Sequence, residues 1–209
     1  MKHLHNYLND FTEQAQALGV TCPFSLLGKF EESFIAPEIG DKLDEYYRKT
    51  VIPHKLAVLE SGLELMQVLP ALYQRPLSLS RDFVHRLLGH DLSKFSDNEQ
   101  WYADYRFKGE NTESAEELFK FAWFHHKKHN DHHPEYWYSV SRDGKEVIPM
   151  EMPYICLAEM VADWMGAGKT YGTDFKEWVP KNINSFLFHP RSWMFLKEIL
   201  TYQGIEVEG

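Results

Sequence analysis

Cysteine is scarce in this chain of 209 residues: Cys22 and Cys156 stand far apart and outside any CxxC spacing. A disulfide framework and a zinc ribbon are thereby excluded, and a reducing compartment is expected. No basic run or Lys/Arg-rich stripe occurs and the formal net charge is −9, which disfavours extended nucleic acid as a partner. A small phosphorylated ligand remains compatible, because a bound metal supplies positive charge locally whatever the net charge. No apolar run approaches membrane-spanning length, and Met1 to Asn6 leads into polar sequence rather than the apolar stretch of a secretory leader. The expectation is a cytoplasmic protein with no membrane partner, acting alone or as a homodimer. Strand-type runs of valine, isoleucine and threonine are nearly missing, as are internal repeats and low-complexity segments.

What is present is helical spacing, in a length that suits a single domain able to bury a core without staples. The expected fold class is all-α, a helical bundle. The first helix is expected over 5–18 and the second over 41–51, capped by Asp41. A third starts at Pro53 and runs to about Leu69, with Leu56, Leu59, Leu63 and Met66 as its apolar stripe and His54 at its start. Ser80 is the expected N-cap of a helix that leads through Phe83, Val84, Leu87 and Leu88 to His90-Asp91. A short helix over 97–107 and a polar break at 109–111 precede Thr112, which opens a helix with acids in its first turn. Ser141 to Lys145 reads as the turn of a small hairpin or flap within about 138–148. A helix from about Met152 to Gly168, a segment around 174–188 and a helix after Pro190 complete the chain.

Chemistry concentrates in residue types that grip transition metals. His90-Asp91 sets an imidazole beside a carboxylate in Gly89-His90-Asp91-Leu92-Ser93-Lys94-Phe95, so one metal can take both or two can share the carboxylate. Five of the eleven histidines, 125, 126, 129, 132 and 133, crowd one segment. Asn130-Asp131 and Pro134 indicate that the helix ends within it, and ligands at a helix end and in the following turn can converge on one ion. The alternative is a solvated His/Lys-rich helix end. For His125 and His129 both readings stand; His126 and His133, in an aromatic and proline-bounded setting, read as ligands. His132 can replace His133 or bind a substrate phosphate. Asp163 lies on an apolar helix, where burial calls for a cationic partner, either a metal or an Arg or Lys. Gly166-Ala167-Gly168-Lys169-Thr170 is not a Walker loop, since the position of its first glycine is Asp163 in a helix; a close-packed helix end fits better. Lys169 is kept as a substrate-binding candidate. Glu99 is kept as acid or base, with a surface role as its alternative.

The order His54, His90-Asp91, Asp163 resembles the H…HD…D signature of the HD-domain metalloenzymes over about residues 50–170. The resemblance implies that His54, His90, Asp91 and Asp163 hold one ion. His126 and His133, with a bridging Asp91, resemble the additions that make the dinuclear form of that superfamily. A closer resemblance is to a phage and bacterial family with HDxSKF, HxxxNxHHxxYW and DWxGAGK patterns, here His90 to Phe95, His126 to Trp137 and Asp163 to Lys169. Lys94 stands where the nucleotidase branch has an acidic residue that orients water. In this the chain resembles instead the HDxGK form of dinuclear phosphodiesterases and inositol-type diiron oxygenases.

The leading expectation is metal-assisted hydrolysis of a small phosphoester such as a nucleotide, with one or two ions of Fe, Mn, Zn or Co. Asp91 and Glu99 would serve the catalytic step and Lys94 would neutralise phosphate charge, with Lys127 and Lys128 as further candidates. One alternative is a diiron oxygenase acting on a small polyol or phosphonate. The other is a catalytically inactive HD scaffold that binds partners through Trp101, Tyr102, Tyr136 and Trp137.

Overall fold

The computed structural model describes residues 4–22, 38–73, 77–109 and 112–208. The fold is all-α with one small antiparallel hairpin. Helix α1 spans Leu4–Ala17, and its apolar face Tyr7, Leu8, Phe11 and Ala15 is buried. Helix α2, Asp41–Tyr46, passes without a break through a π-helical turn, Tyr47–Val51, into α3, Ile52–Val68. A break before Pro53 was the expectation, and the π turn is the reason there is none. Proline offers no N–H to the preceding turn and its ring crowds a carbonyl there, so widening that turn seats the ring while the helix continues. Asp41 is not the cap: Gly40 holds that position with no side-chain bond, and Asp41 sits in the first turn, where its charge suits the helix dipole.

Short helix α4, Pro70–Tyr73, is followed by α5, Leu77–Gly89. Helix α5 thus starts ahead of Ser80, which is inside it and donates its hydroxyl to the Leu72 carbonyl instead of capping. A single turn, Leu92–Phe95, follows, and two more, Asp97–Glu99 and Ala103–Phe107, stand where one short helix over 97–107 was expected. Of the polar break at 109–111, Glu110 and Asn111 lie outside the described residues. Helix α6, Glu113–His129, is capped by Thr112, whose hydroxyl accepts from the Ala115 N–H at 3.1 Å. Strands β1, Tyr138–Val140, and β2, Val147–Pro149, pair with Ser139 opposite Ile148. Helix α7, Tyr154–Tyr171, α8, Phe175–Asn182, and α9, Pro190–Tyr202, follow. Among the described residues no helix is long and apolar enough to cross a membrane.

By their contacts the residues sort into two compact units: Met1–Leu56 with Leu88–Asn130, and Ala57–Leu87 with Asp131–Gly209. The first is built on aromatics. Phe95 lies 4.8 Å from Tyr47 and 6.5 Å from Tyr7, and Tyr7 meets Tyr47 edge-on at 5.3 Å between ring centres. Each such pair adds about 0.5–1.5 kcal/mol beyond area burial.

In the second unit α9 packs on α7. The buried Ser192 hydroxyl accepts from the Met152 N–H at 2.7 Å and returns a bond to its carbonyl at 3.2 Å. Leu56, Leu63 and Met66 of the expected stripe are only half-buried, whereas Val58, Leu59, Leu65 and Leu69 are fully enclosed. The stretch is apolar nearly all round, so periodicity does not single out one face. Gly166 and Gly168 lie inside α7 rather than at its end, which comes at Gly172 with φ +73°. A Cβ on Gly166 would stand 2.7 Å from the Val58 backbone nitrogen, and one on Gly168 would stand 2.6 Å from the Thr173 carbonyl. These glycines serve packing. Because backbone cannot yield as a side-chain tip does, Gly166→Ala is expected to cost about 1–3 kcal/mol. Urea denaturation checks this, and a variant as stable as the wild type would contradict the close packing.

Candidate metal centre

In the first unit the chain leaves α5 at Gly89 and turns through His90 and Asp91 into the Leu92–Phe95 turn. Asp91 has φ +54° and ψ +27°, the one non-glycine residue with positive φ among the described residues. That left-handed conformation costs about 1–2 kcal/mol for an L-residue, and aspartate is one of the few that accept it. Two devices hold the turn. Buried Lys55 donates its ammonium to the carbonyls of Leu88, at 3.2 Å, and of His90. It satisfies two helix-end acceptors and places positive charge at the negative end of the dipole. Asn130, the C-cap of α6, donates from Nδ2 to the Ser93 hydroxyl at 2.7 Å and to the His126 carbonyl at 2.8 Å.

The Asp91 carboxylate so placed is ringed by nitrogen. His54 Nε2 is 3.8 Å and His90 Nε2 3.5 Å from Oδ2, His126 Nε2 is 3.4 Å from Oδ1, and Lys94 Nζ is 3.6 Å from Oδ2. His54, His90, Asp91 and His126 are all buried. These separations exceed a hydrogen bond's. An ion about 2.0–2.2 Å from both a nitrogen and an oxygen separates them by about 3 Å at a right angle and about 3.4 Å at a tetrahedral angle. The His126–Asp91 separation matches the tetrahedral case, and those of His90 and His54 are wider.

Glu99 orients one of them. It is fully buried, with Oε2 2.9 Å from His126 Nδ1 and Oε1 2.8 Å from His125 Nδ1. A carboxylate only accepts, so both Nδ1 atoms carry the proton and His126 Nε2 turns its lone pair toward Asp91. Burial and the Lys94 charge push the His126 pKa down despite Asp91 and Glu99, which keeps the ring neutral, as ligation requires. Burial alone would raise the Glu99 pKa; the imidazoles of His126 and His125, with Lys94, outweigh it and bring the value to about 2. The expected surface role for Glu99 is thus replaced by an interior one, and with both oxygens engaged it is a positioning residue rather than an acid or base. His125 Nε2 takes a bond from Asn98 Nδ2 at 3.3 Å, so this histidine belongs to the support of Glu99. His129 is exposed and stacks on His125 at 3.8 Å. Lys94 sits over the Tyr102 ring at 4.3 Å. Burial opposes its charge, yet Tyr46, Asp91, Tyr102 and Glu99 hold its pKa well above the usual lysine value. Tyr102, expected as a surface contact, is buried against Phe119.

The second unit carries His132, His133, Glu159 and Asp163. His132 Nδ1 is 3.3 Å from Glu159 Oε1, and its Nε2 is 3.9 Å from Asp163 Oδ2. Arg86 Nη2 is 2.7 Å from Glu159 Oε2 and also pairs with Asp131. Trp137, another expected surface contact, gives its indole N–H to the Asp131 carbonyl at 2.8 Å. Lys169 lies 2.9 Å from both Glu60 and Glu64 at the surface, so its charge is committed there rather than held ready for substrate. Among the described residues, buried imidazoles and carboxylates are grouped so that they can hold a metal ion.

Sequence reasoning passed over Lys55, Glu159 and Arg86. The signal for Glu159 was present: it stands four residues before Asp163, on the same helix face. Lys55 was legible only as a charge in an apolar stretch. Two predictions follow from the first unit. Asp91→Gly relieves the left-handed strain, so the metal-free chain gains roughly 1 kcal/mol on urea denaturation while losing metal binding; a less stable variant would mean the carboxylate itself holds the turn. Glu99 has a folded-state pKa near 2 against an ordinary 4.5, so its ionised form contributes stability above pH 4.5 that is lost as pH falls toward 2. The stability gap between wild type and Glu99→Gln should narrow across that window; a gap independent of pH would show that the carboxylate charge is not what matters.

No curated protein and no solved structure matches the chain. Residues 43–202, which include every donor described above, match the family of unknown function DUF5662, and the chain belongs to that family.

Proposed function

We propose that this protein is a metal-dependent phosphohydrolase of the HD type, acting on a small phosphoester such as a nucleotide. One observation carries the reading: three imidazole nitrogens lie 3.4–3.8 Å from the two oxygens of a single buried aspartate, with a lysine ammonium 3.6 Å from the same carboxylate. His54, His90, Asp91 and His126 are the donors in the first unit. His133 and Asp163, which the resemblance adds to the ligand set, lie in the second. Mixed imidazole and carboxylate donors suit Fe, Mn, Zn or Co. A metal held there lowers the pKa of a bound water toward neutrality and so supplies the hydroxide for attack on phosphorus.

The chain's own residues do the rest. Glu99 fixes the His126 tautomer, and Lys55 fixes the backbone that carries His90 and Asp91. Lys94, kept cationic and held against Tyr102, neutralises phosphate charge as it builds up at the reacting centre.

Asp91→Asn keeps size and tolerance of the left-handed conformation while removing the charge. It should strip bound metal and lower Mn- or Co-dependent phosphate release from a nucleotide panel by at least about 100-fold. His189→Ala, at the cap of α9, should leave both unchanged. Equal metal content in wild type and Asp91→Asn would refute the site. Oxygen uptake with a mixed-valent iron signal and no phosphate release would replace the hydrolase by the diiron oxygenase.

A further inference from the structure

We infer that the solvent face of α6 pairs with the same face of a second copy of this chain, the two helices running antiparallel about a two-fold axis. The sequence leaves a homodimer open without naming a surface, and the pairing is independent of the metal reading.

Helix α6 turns one face inward, with Ala115, Ala122, His125 and His126 buried. Large aromatic rings stand on its outer side as well: Phe121 is 52 % and Phe124 59 % exposed. A lone exposed phenylalanine is ordinary, but two on one helix face, a turn apart, make a patch of the kind that marks a contact site. Glu117 precedes the pair by four residues and Lys128 follows it by four, and both are exposed. Glu117, Phe121, Phe124 and Lys128 thus fall at the alternating four- and three-residue steps of a coiled-coil seam.

The order of these residues selects the partner. The steps along the seam are four, three and four, the same in either direction, while the charges at its two ends are opposite. Reversed end to end, the seam meets its own complement: Phe121 faces the partner's Phe124 and Glu117 faces the partner's Lys128, each pair occurring twice about the axis. A parallel pairing would instead set like charges together at both ends. Antiparallel helices also bring opposite ends of their dipoles side by side. Glu117 lies 2.9 Å from Lys120 of its own helix, an exposed pair that is cheaply shared with a second cation. The inner face, which carries His126, takes no part. The contact is small: α6 has 17 residues, about 25 Å of helix. One helix pair of that length falls below the roughly 1,200–2,000 Å² of a stable interface, so the dimer should be micromolar rather than nanomolar.

The test follows the full chain, in buffer with chelator, by sedimentation equilibrium from low micromolar to several hundred micromolar concentration. Wild type should pass from monomer to dimer across that range. Phe124→Asp, at an exposed position where the fold has little to lose, should raise the dissociation constant at least about 10-fold. Glu117→Lys and Lys128→Glu, each alone, set like charges across the seam and should each weaken the dimer roughly 3–10-fold. Combined in one chain, or mixed as two singly substituted chains, they restore opposite charges and should return the affinity of the wild type. A wild type that stays monomeric throughout overturns the inference and leaves the face to a different partner. A dimer that Phe124→Asp and both charge reversals leave intact has its contact elsewhere, which also overturns it. Charge reversals that weaken the dimer, with no rescue by the combination or the mixture, overturn the antiparallel pairing.

Discussion

The Asp91 carboxylate is buried in a place where only positive charge can keep it, and much of the first unit can be understood from that requirement. Three imidazoles stand 3.4–3.8 Å from it, beyond an ordinary hydrogen bond, and the Lys94 ammonium is 3.6 Å away. Removing an ionised carboxylate from water costs several kcal/mol unless a partner compensates. Neutral imidazoles offer lone pairs, which repel a carboxylate; their grouping around it makes physical sense when a cation stands between them. Burial and the Lys94 charge keep His126 neutral although two carboxylates would favour its charge, and a neutral ring is what ligation requires.

Position matters as much as charge. Asp91 reaches this place through a left-handed backbone, a strained choice for any residue but glycine, asparagine and aspartate. Lys55 is what makes the strain bearable: its ammonium caps the last carbonyls of α5 and bonds to the His90 carbonyl, immediately before the strained residue. His54 is its neighbour in sequence, so the first turn of α3 delivers a donor and the clamp of the opposing donor pair together. The π turn before Pro53 sits just ahead of both. Wide turns of this kind recur at functional sites because they re-aim the side chains that follow.

The helices are legible in the sequence because spacing and capping are local properties. Thr112 followed by acids marked the start of α6, and Asn130 to Pro134 marked its end. Errors arose where a distant partner decides. Ser80 looked like a cap, but its hydroxyl has the Leu72 carbonyl to bond; Glu99 looked like a surface acid, and only folding brings two imidazoles to it. Lys55 looked like an ordinary charge, since no periodicity reveals that a lysine will end under a helix terminus. Gly166 and Gly168 are intermediate: their spacing excluded a phosphate loop from sequence alone, but their purpose, close approach to Val58 and Thr173, is visible only in three dimensions.

Each unit holds a buried glutamate beside a histidine, and the two glutamates are supported differently. Glu99 is held by two imidazoles and lies fully inside, where the Lys94 charge adds to their hydrogen bonds. Glu159 is held by a guanidinium, a permanent cation that the neighbouring acids keep charged although burial opposes it. The consequence is a difference in electrostatic character. In the first unit Lys94 acts on Glu99 through space, because the two imidazoles occupy both carboxylate oxygens. In the second Arg86 touches Glu159 directly at 2.7 Å and draws charge from it, which weakens it as an acceptor for His132.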